Sequence, residues 1–121
     1  MAEYKQYITQ IQEFGNVMIS EDVVATIVEH ALFEVEGVDS LSTKPGADIA
    51  DLIGKNWGKG MKILIAEDNS IAISCNVVIK YGHSVVDVAG NIQNVLANAV
   101  ESMTGVKVTS VDVNVCGIVR S

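Results

Sequence analysis

The chain has few of the residues that break structure or carry chemistry. Among 121 residues there is one proline, two cysteines and six aromatic side chains. So little proline excludes a linker-rich or low-complexity chain. Cys75 and Cys116 stand apart, each inside a segment that reads as a strand. That placement suits two buried thiols in a reducing compartment better than a disulfide or a redox pair. No apolar run approaches about 18 residues, so no segment is long enough to cross a bilayer as a helix. Met1 to Gln10 is polar and lacks the apolar centre of a secretion signal, which points to the cytoplasm. Between Glu13 and Asp39 there are seven acidic residues and no Lys or Arg. With a net charge of −7, phosphate backbones and anionic lipid are unfavourable partners. The expectation is no nucleic acid and no direct membrane insertion.

What is abundant is aliphatic. Apolar residues make up 49% of the chain and are mostly Val, Ile and Ala, a composition that suits a sheet packed on helices. The length is that of one domain with one core. Tyr4, Tyr7, Ile8, Ile11 and Phe14 have the spacing of a short helical face, or of a loosely docked arm, so residues 1–14 are read as an N-terminal arm and 15–121 as the domain. Val17 to Ile19 reads as a short strand. Ser20 is a good helix N-cap, followed by Glu21 and Asp22 where the helix dipole favours negative charge. The stripe Val24, Ile27, Val28, Ala31, Leu32, Val35 then predicts a helix over Glu21 to Glu36, closed by Gly37 in the left-handed position.

Val38 to Thr43 reads as a brief strand or an extended exit. Lys44 to Gly60 is irregular and carries the only tryptophan, Trp57, between Lys55 and Lys59. Met61 to Ala66 and Ile71 to Lys80 form a hairpin around a Glu67 to Ser70 turn. In the second strand Ile71, Ile73, Cys75, Val77 and Ile79 share one face. Ser84 opens a second helix with Asp87 in the third position of a capping box. Its expected core stripe is Val85, Val88, Ala89, Ile92, Val95, Ala99 and Met103. Gly90, Ala97 and Thr104 form a small-residue flank, and Asn91, Asn94 and Asn98 line the solvent side. Val106 to Val119 is a last strand with a bulge near Thr109-Ser110. The expected fold class is therefore α+β: a β-α-β-β-α-β-like two-layer sandwich, with a four-stranded sheet and two helices packed on one face.

The sequence holds no catalytic constellation. Metal sites need paired thiolates or imidazoles at ligand spacing, and Cys75, Cys116, His30 and His83 have none. His83 beside Ser84 is better read as a corner residue and a helix cap than as a base and nucleophile. Glu67 and Asp68 occupy a turn tip, where carboxylates are solvated. Gly54 to Gly60 is rich in Gly and Lys but precedes a strand, whereas a phosphate loop must follow one and open a helix. No catalytic, metal or cofactor-binding residue is predicted. What remains is surface. Asn91, Asn94 and Asn98 with Gly90 and Ala97 form a candidate protein interface, and Trp57, Lys55 and Lys59 a candidate loop contact for a small ligand.

The ordered set of motifs resembles the alkaline shock protein family of bacterial envelope stress response proteins, widespread in Gram-positive bacteria. The matching pieces are Gly15-Asn16-Val17-Met18-Ile19-Ser20, Val35-Glu36-Gly37-Val38, Gly60-Met61-Lys62 and Tyr81-Gly82. They continue as Ile92-Gln93 with Val95, Met103-Thr104-Gly105-Val106, and Val111-Asp112-Val113-Asn114-Val115 with Gly117. The resemblance implies a non-enzymatic cytoplasmic protein of envelope homeostasis. It would self-associate or dock on protein partners, including an integral membrane protein that anchors it at the inner face of the membrane. Some relatives are instead connected with control of fatty-acid synthesis, which keeps a regulatory or small-ligand-binding role open.

Overall fold

The computed structural model describes residues 4–42 and 60–120. Its centre is β6 (Ile71–Lys80), whose alternation buries Ile71, Ile73, Cys75, Val77 and Ile79 completely. A strand with one wholly apolar face needs cover on that face and hydrogen-bonding neighbours on both edges. One edge is shared between two antiparallel strands: β5 (Met61–Ala66) pairs with the first half and β4 (Val38–Leu41) with the second. The other edge is taken along its whole length by β7 (Val108–Val119), running parallel. A two-residue strand, β1 (Tyr4–Lys5), extends the sheet beyond β5 and makes it five-stranded. The predicted bulge is present, at Thr109, and a second irregularity falls at Cys116.

A parallel pair requires a crossover, and α2 (Val85–Thr104) supplies it. Ser84 caps its start by accepting a hydrogen bond from the Asp87 amide, and Gly105 closes it in the left-handed conformation. The buried stripe is Val88, Ile92, Leu96, Val100 and Thr104, rotated from the expected one. Met103, expected in the core, is 69% exposed. The reason is that α2 packs on both β7 and α1 (Glu21–Leu32). Two neighbours pull the buried arc toward the line between them. Thr104 is satisfied in this setting because its hydroxyl donates to the Val100 carbonyl 2.6 Å away.

Helix α1 begins as predicted, with the Ser20 hydroxyl accepting from the Val23 amide. It ends at Leu32, short of the expected Glu36, because the chain tightens into three-residue turns at Glu34 and Val35. Val35 nonetheless stays buried. Gly37 then takes φ +97°, and a Cβ there would lie 2.9 Å from Val88 and 3.1 Å from the His83 ring. The exit of α1 and the start of α2 meet at this glycine. Both helices share one apolar cluster with the inner face of β6, so the two-layer α+β arrangement holds.

The N-terminal segment differs from the expected helix or arm. Residues Tyr7–Gln12 form β2, which pairs in antiparallel register with β3 (Gly15–Ser20) as a separate two-stranded sheet. This pairing runs across the expected junction at Phe14–Gly15, and Ile8 is fully buried in the main core. Strand β3 is therefore not part of the main sheet. The helical spacing of Tyr7, Ile8 and Ile11 was overridden by a strand partner just across a tight turn and by the β-favouring run Tyr-Ile-Thr-Gln-Ile. Two amides fasten the hairpin to the domain. Asn69, at φ +72° in the β5–β6 turn, donates to the Thr9 carbonyl (2.9 Å) and accepts from the Thr9 amide (3.3 Å). Gln10 donates to the Thr104 carbonyl at the end of α2.

The rotated phase of α2 can be tested by truncation. Leu96→Ala should cost about 2–5 kcal/mol in urea unfolding, whereas Met103→Ala should stay within about 0.5 kcal/mol. Equal losses at the two positions would contradict the packing described.

Candidate functional site

The outer surface of α2 is built by what the helix does not contain. Over Val85–Thr104 the only charged residues are Asp87 and Glu101, and no Lys or Arg occurs. Glu101 is turned inward, where its carboxylate accepts from the Val108 amide at 2.9 Å. Asn91, Asn94 and Asn98 are all exposed, and their three- and four-residue spacing puts them on one face. Gly90 is half-buried with open space where a Cβ would stand. Ala97 belongs elsewhere: it packs against the core and lines a shallow groove of about 200 Å³ between α2 and β7. The predicted asparagine face is therefore assembled, with Gly90 on its margin, while Ala97 faces the sheet side. Asp87, four residues before Asn91, is exposed on the same side, so the face is amide-rich with one acid at its N-terminal end and no base, and each amide can both donate and accept.

The other features offer less. The groove beside Ala97 is lined by Gln93, Val108, Thr109, Ser110 and Val111, none of them titratable. Gln93 is occupied there, donating to the Val111 carbonyl at 3.0 Å. A second groove, at the end of α2, contains Glu101 and Lys107, of which Glu101 is held by Val108. Among the described residues no three His, Cys, Asp or Glu side chains come together as metal ligands. Asp68 caps its own turn: hydrogen bonds from the Ser70 hydroxyl (2.6 Å) and amide (3.0 Å) hold its carboxyl below the ordinary range. Trp57, Lys55 and Lys59, the expected loop contact, lie outside the described residues. The excursion that carries them leaves and returns at one place. The Ser42 amide donates to the Asn76 carbonyl and the Asn76 amide to the Gly60 carbonyl, both at 2.8 Å. Gly60 sits at φ +80° with no room for a Cβ, which would fall 2.6 Å from the Ser42 carbonyl oxygen.

Two features escaped sequence reasoning. On the sheet face away from the helices, Asn76 is fully buried and accepts from Asn114 Nδ2 at 3.0 Å, while its own Nδ2 has no acceptor among the described residues. Its position in an apolar strand could have flagged it. The second is the β2–β3 hairpin, which leaves large apolar side chains in solvent at its tip. Ile11 is 86% exposed and Phe14 98%. The helical reading of residues 1–14 concealed that surface.

Taken together, the fold and its surfaces define a small α+β domain whose accessible features are a helix face and a hairpin. Among the described residues these features do not form a cleft lined with converging titratable groups. The chain belongs to the alkaline shock protein family, a family of cell envelope-related function, whose model matches residues 9–120. Spy1535 of Streptococcus pyogenes, described as an uncharacterized protein, is 36% identical over 105 residues, covering 87% of this chain and 80% of its own length. YqhY of Bacillus subtilis, also described as uncharacterized, is 30% identical over 105 residues, covering 86% and 77%. YloU of the same organism, likewise described, is 25% identical over 109 residues, covering 88% and 90%. No solved structure matches the chain.

The two thiols differ in setting: Cys75 is buried in the core and Cys116 is exposed. Burial, reinforced by the nearby Asp112 charge and by Cys116, pushes the Cys75 thiol up to about 12. In the unfolded chain the value is the ordinary one of about 8.5. Below that pH both states hold the proton and the thiol contributes no slope. Above it only the unfolded chain ionises, so stability falls as pH rises, by up to about 1.4 kcal/mol per unit between about 8.5 and 12. Urea unfolding should therefore weaken over that window. Cys75→Ala should show a shallower alkaline decline than the wild type, whatever its loss at neutral pH.

Proposed function

We propose that this chain is a non-enzymatic component of cell-envelope homeostasis that acts by assembling with other proteins. It works in the cytoplasm and is held at the inner face of the membrane by an integral membrane partner. The observation that carries this reading is the outer face of α2, where Asn91, Asn94 and Asn98 stand exposed along a twenty-residue helix with no basic residue. A solvated helix is ordinarily laced with charge of both signs. This one has no basic residue and, beyond Asp87 in its first turn, presents amides on the side that faces away from the core, which suits docking. The cell envelope-related function of the family supports the setting. Among the described residues no helix is long and apolar enough to cross a membrane, so attachment there would fall to a partner.

Crosslinking in native cells, followed by recovery of the chain from separated membrane and cytosolic fractions, tests the reading. The expected result is recovery with an integral membrane protein, lost when Asn91, Asn94 and Asn98 are changed together to Asp. These side chains are exposed, so that variant should keep its unfolding free energy within roughly 1 kcal/mol. Recovery from the cytosol with a metabolic enzyme would instead favour the alternative, a regulatory domain connected with fatty-acid synthesis, and would overturn the envelope reading.

A further inference from the structure

The outer edge of β7 is a surface separate from the asparagine face of α2. Among the described residues β7 pairs only with β6, so it ends its side of the sheet. The irregularities at Thr109 and Cys116 leave a regular stretch between them, 110–115. Edge strands are ordinarily protected by proline, lysine or bulges placed along them. This stretch has no proline and no basic residue. In an extended strand the backbone groups of successive residues point alternately to the two edges. Asn76, the register partner of Asn114, uses its backbone amide and carbonyl on Gly60 and Ser42 at the far edge of β6. Asn114 therefore bonds to β6, and Val113 and Val115 are turned outward. Val111 is turned the same way, since Gln93 of α2 reaches its carbonyl at 3.0 Å.

Helix α2 closes only the first half of that edge. Val86, Gly90, Gln93, Ala97 and Glu101 recur at three- and four-residue spacing along one side of the helix. Two of them reach the β7 backbone: Glu101 accepts from the Val108 amide, and Gln93 donates to the Val111 carbonyl. The helix and the strand run in opposite directions. At about 1.5 Å per helical residue and about 3.3 Å per strand residue, Gly90 and Val86 come alongside Val113 and Val115. Neither closes the edge. Gly90 has open space where a Cβ would stand, and Val86 is 78% exposed. Val113 and Val115 share the helix side of the sheet with their partners Cys75 and Val77, yet they are only half-buried, whereas Val111 is buried. An apolar trough therefore lies beside a row of backbone amides and carbonyls that have no partner among the described residues.

We propose that this open half of β7 binds an extended segment of a partner protein as an added strand. Backbone hydrogen bonds hold the segment, and its alternate residues, small and apolar, enter the trough. The residues between them fall on the opposite sheet face, beside Asp112, which is exposed and has no ion-pair partner among the described residues. A Lys or Arg at that position completes a cross-strand charge pair. A second copy offering its own β7 would bring an acid there instead, so the edge selects a basic segment of another protein. This inference rests on the assembly reading only in taking a protein as the partner.

Titration of the isotope-labelled full chain with a capped synthetic heptapeptide alternating valine and lysine, up to millimolar concentration and followed by NMR, tests this. Saturable shifts are expected at Gly90 and at the Val113 and Val115 amides, with slowed hydrogen exchange of those two amides. A peptide alternating valine and glutamate should bind about ten-fold more weakly, and Asp112→Lys should reverse that preference. The valine–lysine peptide N-methylated throughout its backbone should not bind. Gly90→Leu fills the trough and should weaken binding at least about ten-fold. It should not weaken urea unfolding, because the position is open and leucine is the better helix former. No saturable shift, shifts confined to other surfaces, equal binding of the charged or methylated peptides, or an unaffected Gly90→Leu variant would each overturn the proposal. So would Val113 and Val115 signals that move with protein concentration in the absence of peptide, which would assign the edge to a second copy. Failure here with the asparagine-dependent crosslink intact sinks the strand site alone, and the converse sinks the envelope reading alone.

Discussion

Everything in this structure depends on the full-length parallel pairing of β6 with β7. Strand β6 brings five fully buried side chains on one face, and at about 25 cal/mol per Å² of apolar surface such a face dominates the local energetics. That face settles where both helices lie. A parallel neighbour also forces a crossover over the same face, because β6 and β7 must start at the same end. Helix α2 is long because it must return the chain along the whole of β6. Its length in turn leaves an outer surface of several turns with no structural task.

That consequence links the fold to the family's envelope-related function. Titratable groups have been drawn into structural roles: Glu101 secures the start of β7, Asp68 closes its own turn, and Cys75 is sealed in the core. The uncommitted parts are the amide-rich outer face of α2 and the exposed apolar tip of the hairpin at Ile11 and Phe14.

Much of this was legible in the sequence because the signals were local. The hairpin Met61–Ala66 and Ile71–Lys80 has its bounds written in strict alternation and a polar turn. The caps at Ser20 and Ser84 and the left-handed closure at Gly105 follow from residue chemistry alone, whereas Gly37 takes its positive φ beyond the end of α1, which Phe33 closes in the right-handed conformation. What was not legible depended on distant partners. The phase of α2 was set by contact with both α1 and β7, which no single stripe records. The β2 strand was hidden because Ile8 and Ile11 satisfy a helical spacing as well as an extended one. Its conformation is decided by β3, by the distant Asn69, and by Gln10 reaching the end of α2. The asparagine face was found from sequence because it depends on composition along one helix. The exposed apolar tip at Ile11 and Phe14 was not, since it needed the hairpin placed first.

The measurement that bears most directly on the assembly role is site-specific photo-crosslinking in living cells. A crosslinker would be placed in turn at position 94, on the outer face of α2, and at position 68, on the exposed β5–β6 turn. A discrete protein adduct is expected from position 94 in the envelope fraction and none from position 68. No adduct at position 94, or the same adducts from both positions, would show that the amide-rich face of α2 is ordinary solvated surface and would contradict the assembly reading.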